Sequence, residues 1–362
     1  MVVDGAGNLY GNASEGGASD LGTVFKVDPT GTETVLYTFV GGPTGGFPEQ
    51  PSLIMDTAGN LYGTTFGGGP GGGGTVYKLN ATTGAETVLY GFTAADGKGP
   101  EAGLLRDAAG NLYGTTTFGG ASSACGASGG CGVAFKLDPA GTETVLYIFS
   151  GGADGAIPES DLIQDAAGNL YGTASEAGFT GGACGASGCG VVFKIDSSGV
   201  ESTLYTFTGT PDGSTPLGGL VRDTAGNLYG LTFTGGTTGN GTVFKLDTTG
   251  KETVLYSFAG VPDGAGPNAG DLILDASGNL FGTTGGGGTT GNGAVFELDP
   301  TGKETVLYSF TGLADGAWPL GGLVMDGKGN LYGTTVNGGV SGCNFGYGST
   351  QCGVVFKLTY VP

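Results

Sequence analysis

The chain has 362 residues, of which 83 are Gly, 32 acidic, 12 basic and none His, giving a formal net charge of −20. That balance excludes nucleic acid and anionic membrane surfaces as partners, because both need a basic face. The lack of His also removes Ser-His-Asp and Cys-His catalysis, and no apolar run approaches the roughly 18 residues of a membrane-spanning helix.

The elements come in seven copies of one pattern. Its signature, Asp-x-x-Gly-Asn-Leu-Tyr-Gly, is fullest at 56–65, and its Asn recurs as Asn8, Asn60, Asn111, Asn169, Asn227, Asn279 and Asn330, at spacings of 51 to 58 residues. Glycines at fixed offsets between Leu, Val, Ile, Tyr and Phe runs describe an ordered repeat, not a low-complexity chain. Within the signature the Asp accepts hydrogen bonds from the amides that follow it, the next two residues fit a type I turn, and Gly59 takes the left-handed position. The stretch therefore predicts a tight hairpin connection.

The fifth copy shows the whole unit. Four β-type runs, A to D, fall at 219–222, 227–232, 241–246 and 252–258, and nothing between them has helical period or length. Runs C and D are apolar at successive positions, as in Val243-Phe244 and Val254-Leu255-Tyr256, which predicts small sheets buried on both faces. Four-stranded antiparallel sheets at this period predict an all-β chain folded as a seven-bladed β-propeller, a single domain over residues 1–362. A solenoid would need atypical capping repeats at its ends.

In chain order the expected blades are 1–43, 51–95, 102–152, 160–210, 218–261, 270–313 and 321–362. The first opens directly on an A run. The third and fourth have enlarged B–C loops carrying Cys125 with Cys131 and Cys184 with Cys189. In the sixth the signature Tyr is replaced by Phe281, and the seventh carries Cys343 with Cys352 and closes on a C run, so it lacks its outer strand. Each Cys pair lies inside one Gly-rich loop, far from any His. Three small-loop disulfides are expected, with an oxidising extracellular or cell-surface location and a leader upstream of Met1. The open seventh blade predicts a strand supplied from upstream or, failing that, self-association with a neighbouring chain.

Length variation falls on the face that carries the B–C and D–A loops, the usual working surface of a repeat array. The D–A loops carry Asp96, Asp154, Asp212, Asp263 and Asp315, each followed by Gly, with Pro three residues after that Gly. A cation such as calcium is one reading of this ring of carboxylates. A turn repeated because the blade repeats is the other, and with one carboxylate per loop no metal or other cofactor is expected. The residue before the Pro varies: Phe47, Gly99, Ile157, Thr215, Gly266 and Trp318. Phe47, Ile157 and Trp318 are candidates for stacking on sugar rings or anchoring a partner, against the plainer reading that they plug the loop face.

The strings D-x-x-G-N-L-Y-G-T-T, G-T-V-F-K-L-D, G-x-E-T-V-L-Y-S-F and D-G-A-x-P together resemble the tandem repeat of bacterial GloVer-repeat (choice-of-anchor) proteins over essentially the whole chain. The first string also resembles NHL-type propeller repeats, more loosely. The resemblance implies a secreted or surface-attached bacterial protein and assigns no catalytic residue. The carboxylates that align across copies all sit at turn positions, with none standing out. The expected function is thus a non-catalytic extracellular scaffold or adhesion module, not an enzyme, with itself or a surface glycan or protein as partner. The alternatives are a carbohydrate-binding propeller and an enzyme acting on an extracellular polymer.

Overall fold

A computed structural model describes residues 1–49, 53–120, 125, 129–181, 184–268, 270–340 and 352–360. Seven antiparallel sheets follow one another along the chain. The first six have four strands each in sequence order, in the fifth Val221–Arg222, Leu228–Thr232, Thr242–Leu246 and Glu252–Ser257. The seventh has three, Val324–Met325, Leu331–Thr335 and Val354–Leu358. This is the all-β seven-bladed propeller that the repeat predicts, and among the described residues the last blade shows three strands.

By its contacts the chain divides into two compact units, residues 1–172 with 193–202 and residues 173–192 with 203–362. In the first, one core cluster joins Tyr10, Val24 and Phe39 of the first repeat to Leu53, Leu61 and Tyr77 of the second. In the second, Leu231, Val243 and Phe258 pack on Leu272, Leu280 and Phe296 of the following repeat. Within each unit, successive sheets thus bury their apolar faces against one another.

The hairpin turn is built as the signature requires. Asp56 accepts the amides of Ala58 and Asn60, the Asn60 side chain and the Tyr62 hydroxyl, all at 2.9 Å, and Gly59 sits at φ 78°. Burial alone would raise the Asp56 carboxyl, but these four donors outweigh it and hold it down to about 2. A second glycine has a steric reason that the turn does not supply. A Cβ on Gly230 would lie 2.6 Å from the Phe244 ring tip, so the B strand leaves room there for the ring beside it.

Two local features depart from the expected pattern. The A runs form only two paired residues each, as at Val221–Arg222, because the rest of each run is still the loop leaving the previous sheet. The D runs are apolar at successive positions partly because they bulge: Phe244 pairs with Val254 and Val243 with Tyr256, skipping Leu255. A bulge turns successive side chains out of strict alternation.

The sixth repeat carries a coupled change. In the other six a Lys lies over the signature Tyr ring, as Lys245 does over Tyr229 at 5.5 Å. In the sixth the pair is Phe281 and Glu297. Tyr360 packs its ring edge-on to Phe281 at 5.2 Å and donates its hydroxyl to Glu297 at 2.8 Å. Burial and the Glu297 carboxylate push the Tyr360 phenol up to about 12.

Candidate functional site

The five D–A loop aspartates serve their own loops. Asp212 accepts the Tyr205 hydroxyl at 2.7 Å and the amide and hydroxyl of Thr208 at 3.0 and 2.8 Å. Asp154 takes Tyr147 and Ser150 in the same way, and Asp315 takes Tyr308 and Thr311. Asp96 is bound by Tyr90 and Thr93, and Asp263 by Tyr256 and the Ala259 amide. Each carboxylate ties the end of a D strand to the loop that leaves it.

The position before the Pro has a shared backbone conformation. Phe47, Gly99, Ile157, Thr215, Gly266 and Trp318 all lie at φ between 57° and 65°. That region is free for Gly and costs other residues about 1–2 kcal/mol. Two copies use Gly; four present a side chain there despite the strain. Phe47 is 37% and Trp318 48% exposed, while Ile157 is half-buried.

This geometry predicts an inversion of the usual ranking. In an ordinary loop Ala is the more stable replacement, because Gly loosens the unfolded chain. Here W318G should melt above W318A, by up to about 1 kcal/mol, because only Gly relieves the left-handed backbone. Thermal unfolding of the two variants checks this; an Ala variant as stable as the Gly one would mean that the strain is not there.

The residue after the Pro was not singled out in the sequence, and it carries the more reactive chemistry. It is Glu49, Glu101 and Glu159 in three successive loops of the first unit, and Leu217, Asn268 and Leu320 in the loops of the second. Glu101 and Glu159 are half-buried; Glu49 keeps solvent access although neighbouring atoms crowd around it. Burial, then the negative charges of Glu159 and Glu49, push the Glu101 carboxyl up to about 8. Burial and Glu15 raise Glu49 as well. The Thr117 hydroxyl lies beside Glu101, 1% exposed and completing no hydrogen bond, and opposes the rise only weakly. A carboxylic acid that keeps its proton near neutral pH beside other carboxylates is the arrangement that general acid–base catalysis uses.

The two enlarged B–C loops are cross-linked as expected: Cys125 to Cys131, with Cα atoms 5.2 Å apart, and Cys184 to Cys189, at 4.9 Å. Of the third expected pair, Cys343 lies outside the described residues. No helix among the described residues is long and apolar enough to cross a membrane.

Fold and loops together define a strongly acidic, disulfide-bearing β-propeller with three glutamates in successive D–A loops of its first unit. The chain belongs to the Gloeobacter/Verrucomicrobia repeat family, whose pattern matches residues 1–185 and 179–361. No curated protein matches it in sequence. Among solved structures it resembles a putative 6-phosphogluconolactonase from Bacteroides uniformis, at 15% identity and TM-score 0.58, over 91% of this chain and 88% of that one. A second such protein, from Bacteroides fragilis, matches at 15% identity and TM-score 0.57, over 91% and 87%. TolB from Acinetobacter baumannii matches at 14% identity and TM-score 0.50, over 83% of this chain and 64% of that one.

These likenesses correct the expectation that the chain is not an enzyme. The same fold, over about nine-tenths of either chain, is that of proteins described as lactonases. The expectation rested on carboxylates that recur in every copy. It overlooked Glu49, Glu101 and Glu159, which occur in three loops and are absent from the equivalent positions of the second unit.

Proposed function

We propose that the chain acts outside the cytoplasm on a carbohydrate held at the D–A loops of its first unit, with Glu101 as the proton donor in hydrolysis of a sugar lactone, ester or glycoside. What supports this reading is the grouping of Glu49, Glu101 and Glu159 after the prolines of three successive loops, with Glu101 half-buried and its carboxyl pushed up to about 8 by burial and then by Glu159 and Glu49. Glu101 would protonate the departing oxygen while an ionised neighbour accepts a proton from the attacking water. The exposed Phe47 ring, two residues before Glu49, offers a stacking surface for a sugar. Three carboxylates and a net charge of −20 disfavour a phosphorylated substrate, which separates this reading from that of the phosphosugar lactonases it resembles in fold. The two disulfides support an oxidising location.

The test is turnover of a panel of neutral sugar lactones, acetyl esters and glycosides by the native chain and by E101Q. A substrate that is turned over should show activity falling as pH rises through about 8, where Glu101 loses its proton. E101Q should be slower by roughly 10²- to 10⁴-fold and lose that alkaline limb. Undiminished turnover by E101Q, or no turnover of any of the three substrate classes, would reject the assignment.

A further inference from the structure

The seven signature turns differ in the residue just ahead of their Asp: Val3, Met55, Arg106, Gln164, Arg222, Leu274 and Met325. Where that residue is Arg, its side chain packs against its own turn. The Arg106 guanidinium also lies over the Tyr62 ring of the preceding sheet, 5.7 Å from its centre, and donates to the Tyr62 hydroxyl, which in turn donates to Asp56 at 2.9 Å. A Cβ on Gly110 would meet the Arg106 tip at 3.1 Å, and one on Gly226 would meet the Arg222 tip at 2.9 Å. Both copies hold a cation against the turn glycine.

Between the first and second sheets that filler is missing. Met55 ends, by atom count, one atom short of the guanidinium carbon of an Arg, and a Cβ on Gly59 would meet nothing within 4 Å. A cavity of about 570 Å³ opens there, with Asp4, Tyr10, Met55, Asp56, Gly59 and Ala81 in its lining. All six belong to the first compact unit. The wall repeats the parts that hold Arg106 one sheet further on. Tyr10 donates its hydroxyl to Asp4 at 3.1 Å, as Tyr62 does to Asp56, and its oxygen can accept a donor in turn. Lys26 lies over the Tyr10 ring just as Lys78 lies over Tyr62, so this cation is common to both copies and does not replace the Arg. Among the described residues, none that lines the cavity is Lys or Arg.

We propose that this cavity receives the guanidinium of an arginine side chain from a separate peptide, in the place that Arg106 fills between the second and third sheets. Met55 and Ala81 take the apolar stem, and the Tyr10 hydroxyl accepts one guanidinium N–H. Asp4 and Asp56 are already engaged by their own turns, so they contribute charge instead of aimed hydrogen bonds. A guanidinium is more weakly hydrated than an ammonium and loses less on entering such a wall. Free arginine fits less well, because its α-carboxylate would face the same two aspartates. The site shares no residue with Glu49, Glu101 and Glu159.

The experiment titrates the full chain with the acetylated, amidated tripeptide Gly-Arg-Gly, following backbone amide signals by NMR. Its citrulline counterpart has the same shape without the charge. Signals of Asp4, Gly59 and Ala81 should shift and saturate with the arginine peptide, and the citrulline peptide should bind at least about tenfold more weakly. M55R carries its own guanidinium into the cavity and should lose the response at Gly59 and Ala81. Equal binding of the citrulline peptide would overturn the proposal, as would shifts spread over all the acidic turns with no preference for these three residues. So would the absence of a saturable shift up to about 10 mM peptide, beyond the weak end of specific affinity. Tighter binding of free arginine than of the peptide, or a folded M55R that binds like the native chain, would also overturn it. The arginine–citrulline comparison on the native chain decides the matter even if M55R does not fold.

Discussion

Raising the pH from about 5 to about 8 should lower the unfolding temperature of this acidic protein, and beside Glu101, whose carboxyl is pushed up to about 8, three glutamates at strand starts share the effect. Glu143, Glu252 and Glu304 each begin a fourth strand and each keep one buried carboxyl oxygen without a hydrogen bond. Burial first, and then Asp96, Asp212 and Asp263 of the preceding loops, push all three up to about 7. The unfolded value is near 4.5, so the folded state holds more protons between the two, and the contribution is complete below about pH 4.5 and lost as pH rises to about 7. These side chains are only partly buried, and solvent screening reduces the loss to about 1 kcal/mol for each.

The turn aspartates act in the opposite sense. Asp56 and Asp165, each held down to about 2, stabilise above the unfolded carboxyl range and give that up as pH falls toward 2. Stability should therefore peak near pH 4 to 5 and decline on both sides. Replacing all three glutamates by Gln keeps shape and removes the charge. The triple variant should have a shallower slope between pH 5 and 8 than the native chain and gain stability at the upper end, with the remaining slope owed to Glu101. A melting temperature that is flat with pH in the native chain, or a slope unchanged by the three amides, would show that these carboxyls are already ionised.

F207A should be among the most damaging single substitutions in the core. Phe207 is fully buried, with its ring edge-on to Tyr205 and to Phe244 of the next repeat, both at 5.1 Å. Deleting a buried Phe costs about 3–5 kcal/mol in transfer and cavity terms. Here both aromatic contacts go as well, and one of them joins two successive sheets. The Val35→Ala change, on a fourth strand but 52% exposed, should stay within about 0.5 kcal/mol. Denaturant midpoints of the two variants separate the cases; a loss under 1 kcal/mol at Phe207 would mean that the repeats do not depend on one another through this ring.

The repeat made the architecture legible from sequence because period, turn chemistry and apolar runs all state the same unit. Asp56, Gly59 and Asn60 could be assigned roles without coordinates, since a hairpin turn is solved within five residues. Gly230 could not, because its reason is the Phe244 ring on the neighbouring strand. The D-run bulge was hidden for a similar reason: three consecutive apolar residues suit a two-faced strand and a bulged one equally well. The glutamates after the prolines were visible as letters at Pro48-Glu49, Pro100-Glu101 and Pro158-Glu159. Their chemistry was not, because the raised carboxyl of Glu101 depends on residues some fifty positions away along the chain. Phe281 stood out as an exception, but its meaning required Tyr360 and Glu297, which no local pattern connects to it.

The left-handed position ahead of each proline has an implication for how such chains diversify. Its backbone is fixed by the loop, since Phe47 and Trp318 are each tied through their own amide and carbonyl to neighbouring chain segments. The side chain can then be exchanged without renegotiating the scaffold, as Gly, Thr, Ile, Phe and Trp at equivalent sites already illustrate. Six such addresses, each rewritable by one codon, would let descendants of a single ancestor trade one target for another while their interiors stay alike.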